Sequence, residues 1–166
     1  MPGRLQTTLA RLLEAIVQAA REVYGERLVS LAVFGSVGRG TPRFDSDIDL
    51  LVVAAGLPRG RLARVREFSA VEARLAPVLE QAAAAGVDTV VNPVFKTPEE
   101  VGAGSLLFLD MVEDARLLYD RDGFLAGYLS RLKARLKDLG ARRVRRGGAW
   151  YWLLKENYRP GEVFEI

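Results

Sequence analysis

The stretch Val33–Val53, VFGSVGRGTPRFDSDIDLLVV, decides how the rest of the chain is read. It runs an apolar strand into glycine and serine, passes Arg39 and Arg43, and sets Asp47 and Asp49 at alternate positions as a second apolar strand begins. Alternate residues of a strand point to the same face, about 6 to 7 Å apart. Asp47 and Asp49 therefore share a face, while Ile48 between them can anchor the strand in a core. A cation is expected between two such carboxylates, and their hard oxygens suit Mg²⁺ or Mn²⁺. Gly35 and Ser36 close the first strand beside that face. Small residues admit a polyphosphate closely. The N–H groups of Ser36 and Val37, opening a helical turn, would receive its oxygens, and the Ser36 hydroxyl adds a donor. Arg39 or Arg43 would stabilise the triphosphate or a leaving pyrophosphate. Taken singly, alternating aspartates mostly mark a solvated strand face and a glycine-serine pair mostly marks a turn. Joined in one segment, each accounts for the charge of the other.

Composition sets the limits around this segment. The chain has 166 residues, 49% apolar and 27% charged, enough for one domain with a hydrophobic core. Its formal charge is +3, and 20 of its 24 basic residues are arginine. Arginine suits phosphate and carboxylate partners, but the same bias fits a heat-adapted or GC-rich source equally well. There is no cysteine and no histidine. Disulfides, thiolate nucleophiles, Cys- or His-ligated zinc and imidazole bases are excluded. The N-terminus lacks the continuous apolar run of a signal peptide and no segment approaches membrane-span length, so a cytoplasmic location and no membrane partner are expected.

Periodicity places the elements. Leu5, Leu9, Leu12, Leu13, Ile16, Val17, Ala20 and Tyr24 predict an amphipathic helix over 4–24. Strands are predicted over 28–34 and 48–53. A helix follows over 61–80, kinked or interrupted near Pro77 and extended by the alanines before Gly86. A third strand is predicted over 87–95, with Pro93 opposing a central position. Thr97, Pro98 and Glu100 spell a capped helix start, leading into one helix or two short ones through Val112. ARLLYD reads as a fourth strand and 125–139 as a helix stopped by Gly140. The remaining segment, with its arginines, aromatics and turn formers, resists placement.

The pattern GSxxxG, with Gly35, Ser36 and Gly40, followed by Ser46-Asp47-Ile48-Asp49-Leu50, resembles the DNA polymerase β-like nucleotidyltransferase superfamily, and most of all its minimal members. The resemblance implies an α+β fold, a small mixed β-sheet packed against helices, as one domain over 1–166. Its catalytic core would span about 5–96 and a C-terminal extension about 97–166. It also implies that Gly35 and Ser36 hold the phosphates of a nucleoside triphosphate, and that Asp47 and Asp49 bind catalytic Mg²⁺ or Mn²⁺. The family expects a third carboxylate on a later strand. Asp88 is the candidate as metal ligand and aid to deprotonation of an acceptor hydroxyl, whereas Asn92 has the same strand parity and a different register would place it there. Asp45 is assigned to the loop.

Minimal members often pair with a four-helix partner in systems resembling toxin–antitoxin modules, so a protein partner or modified protein acceptor is a further implication. An RNA or small hydroxylated acceptor stays open, as does pairing of two copies through an uncovered edge strand. Two alternatives stand beside the enzyme: an inactive nucleotide- or partner-binding protein, and a nucleic-acid-binding module built on Arg142–Arg146 with Trp150, Tyr151 and Trp152. A dinucleotide-binding domain is disfavoured, since GSVGRG lacks the GxGxxG order and leaves no room for the intervening helix.

Overall fold

The structure, a computed structural model, describes residues 2–166. Helix α1 (Pro2–Tyr24) leads through one 3₁₀ turn into strand β1 (Leu28–Phe34). A single turn, α2 (Gly35–Gly38), and a loop connect it to β2 (Ile48–Ala54). Helix α3 (Arg61–Ala84), strand β3 (Val91–Lys96) and the short helices α4 (Pro98–Gly102) and α5 (Leu107–Asp114) follow. Strand β4 (Arg116–Asp120), helix α6 (Phe124–Asp138) and a hairpin of β5 (Arg142–Arg146) and β6 (Ala149–Leu153) complete the chain. Among the described residues no helix is long and apolar enough to cross a membrane.

The first four strands form one sheet in the order β3-β2-β1-β4. β2 and β3 run parallel and the other pairs antiparallel, so the sheet is mixed and the fold is α+β. Strand alternation sends its side chains into two cores. Leu31, Val33, Ile48, Leu50 and Val52 pack with Leu12 and Ile16 of α1 and with Phe68, Val71 and Leu75 of α3. Val29, Ala32, Leu51 and Val53 pack on the opposite side with Phe108 and Met111 of α5 and Leu125 of α6. Both faces being covered, β1 and β2 read as nearly unbroken apolar runs. Phe34, Asp49 and Asn92 belong to the α5/α6 face, since Phe34 pairs with Asp49, Asp49 pairs with Asn92, and Phe34 packs with that second core.

Some of the expectations from sequence hold and others are corrected. α3 runs through Pro77 to Ala84, because apolar contacts on both sides of the proline, Leu75 before and Ala82 after, hold the helix against α1. The third strand starts at Val91 rather than 87. Upstream of it the chain is tied to the loop before β2: Asp88 N–H donates to Phe44 O at 2.9 Å, and the Thr89 side-chain hydroxyl donates to Ser46 O at 2.7 Å. β3 is an edge strand, consistent with Pro93. The segment after Thr97 divides into α4 and α5, with Gly104 between them at φ +82°. The basic run that resisted placement is strand β5, turned onto the aromatic β6 by Gly147 and Gly148 at φ +58° and +85°. Positive φ at both central positions is what a two-residue hairpin turn of type I′ demands.

Candidate active site

The first-strand turn and the acidic strand meet because Phe34 and Asp49 are cross-strand partners. Gly35, one residue on, has φ +64°, and a Cβ added there would collide with Asp49 Oδ2. Only glycine lets the turn approach the carboxylate this closely. Val37 is buried and anchors α2 in the α1 core, while Ser36 is half-exposed. The far side of the turn is closed by its own bonds, Arg39 N–H to Gly35 O at 3.0 Å and Thr41 N–H to Ser36 O at 2.9 Å. The first N–H groups of a helical turn have no partner within it and remain available to an anion.

Asp47 lies just before β2 and is exposed, and Asp49 is half-buried on the strand. Asn92, paired in register with Asp49, donates from Nδ2 to Asp47 Oδ2 at 3.2 Å. The amide also sits near enough to Asp49 to favour its charged form. Burial nevertheless pushes the Asp49 carboxyl above the usual carboxylate range, and the neighbouring Asp47 charge adds to that; Asn92 and Arg39 oppose it. Such a pair is short of positive charge, which is the electrostatic condition for cation binding.

Of the two loop arginines, Arg39 is the one whose charge is felt at Asp49. Its Nη1 donates to Asp114 Oδ2 at 3.0 Å. Arg43 is largely exposed and faces Asp45 at 3.4 Å. Ser46 organises the loop, its hydroxyl accepting from Arg43 N–H at 2.8 Å. Asp88 is exposed on the connector ahead of β3, four positions before Asn92. Among the described residues no three of Asp, Glu, His and Cys gather into a group able to hold a metal ion. Asp47, Asp49 and the Asn92 amide are thus the oxygen-bearing side chains brought together. The site is a shelf on the α5/α6 face of the sheet; the groove of about 720 Å³ between α1 and β4 lies on the other face and shares none of these residues.

A family model for the nucleotidyltransferase domain matches residues 13–102. The chain belongs to this family. The match runs from the second half of α1 through α4, including the turn, both aspartates and Asn92. The chain is also 31% identical over 133 residues to the Methanocaldococcus jannaschii protein called "Putative protein adenylyltransferase", covering 79% of this chain and 85% of that one. The DNA polymerase β-like superfamily, minimal type, is therefore the right setting for the fold. Solved structures similar to the chain include that of a toxin–antitoxin with AMP-PNP, at 21% identity and a TM-score of 0.46 over 77% of this chain and 92% of that one. Another is the toxin–antitoxin MntA-HepT, at 18% identity and a TM-score of 0.43 over 79% and 92%. At such values neither likeness bears on activity or partner.

Asp114 is a polar residue near the turn that the sequence did not single out, and Arg143, read there only as part of the Arg142–Arg146 run, is its partner. Nothing in LFLDMVED distinguishes Asp114 from its exposed acidic neighbours, and its partner lies 29 residues downstream.

Proposed function

We propose that the chain transfers a nucleoside monophosphate from a nucleoside triphosphate to an acceptor hydroxyl, with ATP as donor and a protein as acceptor. The observation that carries this reading is the contact between Asp49 and Gly35, which makes the acidic pair and the glycine-serine turn one site. The name of the M. jannaschii relative supports the choice of adenylyl group and protein acceptor.

The donor set fits a hard divalent cation: two carboxylates, an amide, no sulfur and no imidazole. Asp47 and Asp49 would hold Mg²⁺ or Mn²⁺, which when bound neutralises phosphate oxygens and makes the attacking hydroxyl more acidic. The chain's own residues do the rest. Gly35 leaves room for the phosphates beside Asp49. The Ser36 hydroxyl and the N–H groups of Ser36 and Val37 donate to phosphate oxygens. Arg39, through donors not used on Asp114, meets the charge that develops on the leaving group. Asn92 fixes the Asp47 carboxylate. In the transfer, the acceptor oxygen bonds to the α-phosphorus, the bond to the α–β bridging oxygen breaks, and pyrophosphate leaves. An amide takes no proton at neutral pH, so the hydroxyl proton passes to solvent. Asp88, on its exposed connector, has no part in this scheme, and neither has Arg43.

A second reading, a nucleotide- or partner-binding protein without catalysis, is favoured by one observation: an amide, Asn92, stands opposite Asp49. Incubation with α-labelled ATP, CTP, GTP or UTP, Mg²⁺ or Mn²⁺, and the protein encoded beside this one separates the two. The enzyme is expected to leave label on the acceptor and to lose that transfer in Asp47→Asn. Metal-dependent binding without any transfer would establish the second reading instead.

A further inference from the structure

The Gly35–Thr41 turn rests on an ion cluster built round one buried carboxylate, which shares Arg39 with the site described above. Asp114, the last residue of α5, is 5% exposed. Its Oδ2 accepts from Arg39 Nη1, and its two oxygens accept from Arg143 Nη1 and Nη2, all at 3.0 Å. Burial pushes the Asp114 carboxyl up, but the hydrogen bonds from Arg143 and then Arg39 outweigh it and hold the carboxyl below its usual range. The backbone reinforces the link. A Cβ at Gly38 would run into the Asp114 and Val33 carbonyls, so α2 sits directly on the end of α5.

Arg143 belongs to the C-terminal hairpin. It shares a hairpin face with Arg145, Trp150 and Trp152, because Arg143 pairs with Trp152 and Arg145 with Trp150. That face is seated on α5: Trp152 Nε1 donates to Asp110 Oδ1 at 3.0 Å. Trp150 lies against the Arg143 guanidinium, 5.1 Å from ring centroid to Cζ. The bidentate geometry on Asp114 is one that arginine supplies and lysine does not.

We propose that Arg143 and Asp114 are positioning residues for the triphosphate: the hairpin, through Arg143, occupies Asp114, and Asp114 in turn holds Arg39 beside Asp49 with donors to spare for phosphate. This rests on the nucleotide reading above. Arg143 meets Asp114 bidentately and is itself met by Asp110 at 3.7 Å, so the single contact from Arg39 to Asp114 leaves the other Arg39 donors to a phosphate. Without Arg143 the buried carboxylate would cancel Arg39 and draw its remaining donors inward, away from the ligand. Arg143 thus supports phosphate binding without touching phosphate.

A double-mutant cycle tests the relay, read by the affinity of a non-hydrolysable ATP analogue with Mg²⁺ and by amide hydrogen exchange over residues 35–41 without nucleotide. Arg143→Ala is expected to weaken the analogue about five- to tenfold and to speed exchange in the turn. Arg39→Ala should weaken it at least as much, and adding Arg143→Ala to that variant should change nothing further. Arg145→Ala, on the same hairpin face but off Asp114, should stay within about twofold of wild type. If Arg143→Ala fails to fold, Arg143→Lys replaces it, with an affinity expected between wild type and the alanine variant's prediction. Additive effects of Arg39→Ala and Arg143→Ala, an Arg145→Ala effect as large as that of Arg143→Ala, or unchanged affinity and exchange in the Arg143 variant would each overturn the relay. A wild-type chain that binds no triphosphate overturns the underlying nucleotide reading, whatever the exchange of the turn does.

Discussion

In the four-stranded sheet Leu31, Val33, Leu50, Leu51, Val52 and Val53 are wholly buried between helices on both faces, whereas the β5–β6 hairpin leaves Trp150 56% and Tyr151 45% exposed. The sheet is held by area: many apolar contacts, none of them decisive singly. The hairpin is held by points, chiefly Arg143 on Asp114 and Trp152 on Asp110. Burial by area specifies a fold and tolerates local change. Attachment by points is directional, and breaking one member leaves a buried charge without its partner. The turn that carries Gly35 and Arg39 lies at the junction of the two regimes, and this is why its behaviour should depend on both.

The largest effect expected from this contrast is in the sheet's own core. Phe68→Ala should cost about 3–5 kcal/mol in denaturant unfolding, while Val144→Ala at a half-buried position of the hairpin should cost no more than about 1 kcal/mol. Comparable losses at the two positions would break the contrast. Next comes the junction. Gly35→Ala forces a side chain into the left-handed region, a strain of about 1–2 kcal/mol, and displaces Asp49 as well. Nucleotide affinity should therefore fall by more than the stability loss accounts for, which parallel titration and melting would reveal.

A smaller effect sharpens the picture at the sheet's edge. Glu100 caps α4 together with Thr97 and receives both Arg64 Nη groups at 2.8 Å. The hydrogen bonds from Arg64 lower its carboxyl from 4.5 to about 2, against the opposing effect of burial. A depressed carboxyl contributes stability that is fully present above its unfolded value and lost as pH falls through the folded one. The chain should thus lose stability between about pH 4.5 and 2, and Glu100→Gln should flatten that part of the profile. An unchanged acid profile in the variant would remove this ion pair from the account.

What could be read in advance follows the same division. α1, β1 and β2 were legible because their burial is written as periodicity, and Gly35, Asp47 and Asp49 because they sit at the junction of two such strands. Asn92 and Asp88 could not be separated in sequence. They share parity, and the choice depends on where β3 begins, which Asp88 N–H and the Thr89 hydroxyl decide by bonding to the loop before β2. The hairpin was illegible for another reason. RRVRR has the composition of a solvated face, and its strand character comes from a partner, AWYWL, across two glycines. Asp114 carries no local mark at all; the arginines that engage it come from two distant segments.

On the proposed reading, Asp47 and Asp49, next to the Gly35–Ser36 turn, bind a divalent cation and a triphosphate together. Calorimetric titration of the wild-type chain and of Asp49→Asn with a non-hydrolysable ATP analogue, with and without Mg²⁺, tests it most directly. Since burial already pushes the Asp49 carboxyl up, the neutral asparagine should leave the fold intact. Binding in wild type only when Mg²⁺ is present, and its loss in the folded variant, is the predicted result. Metal-independent binding in wild type, or undiminished binding in Asp49→Asn, would contradict it.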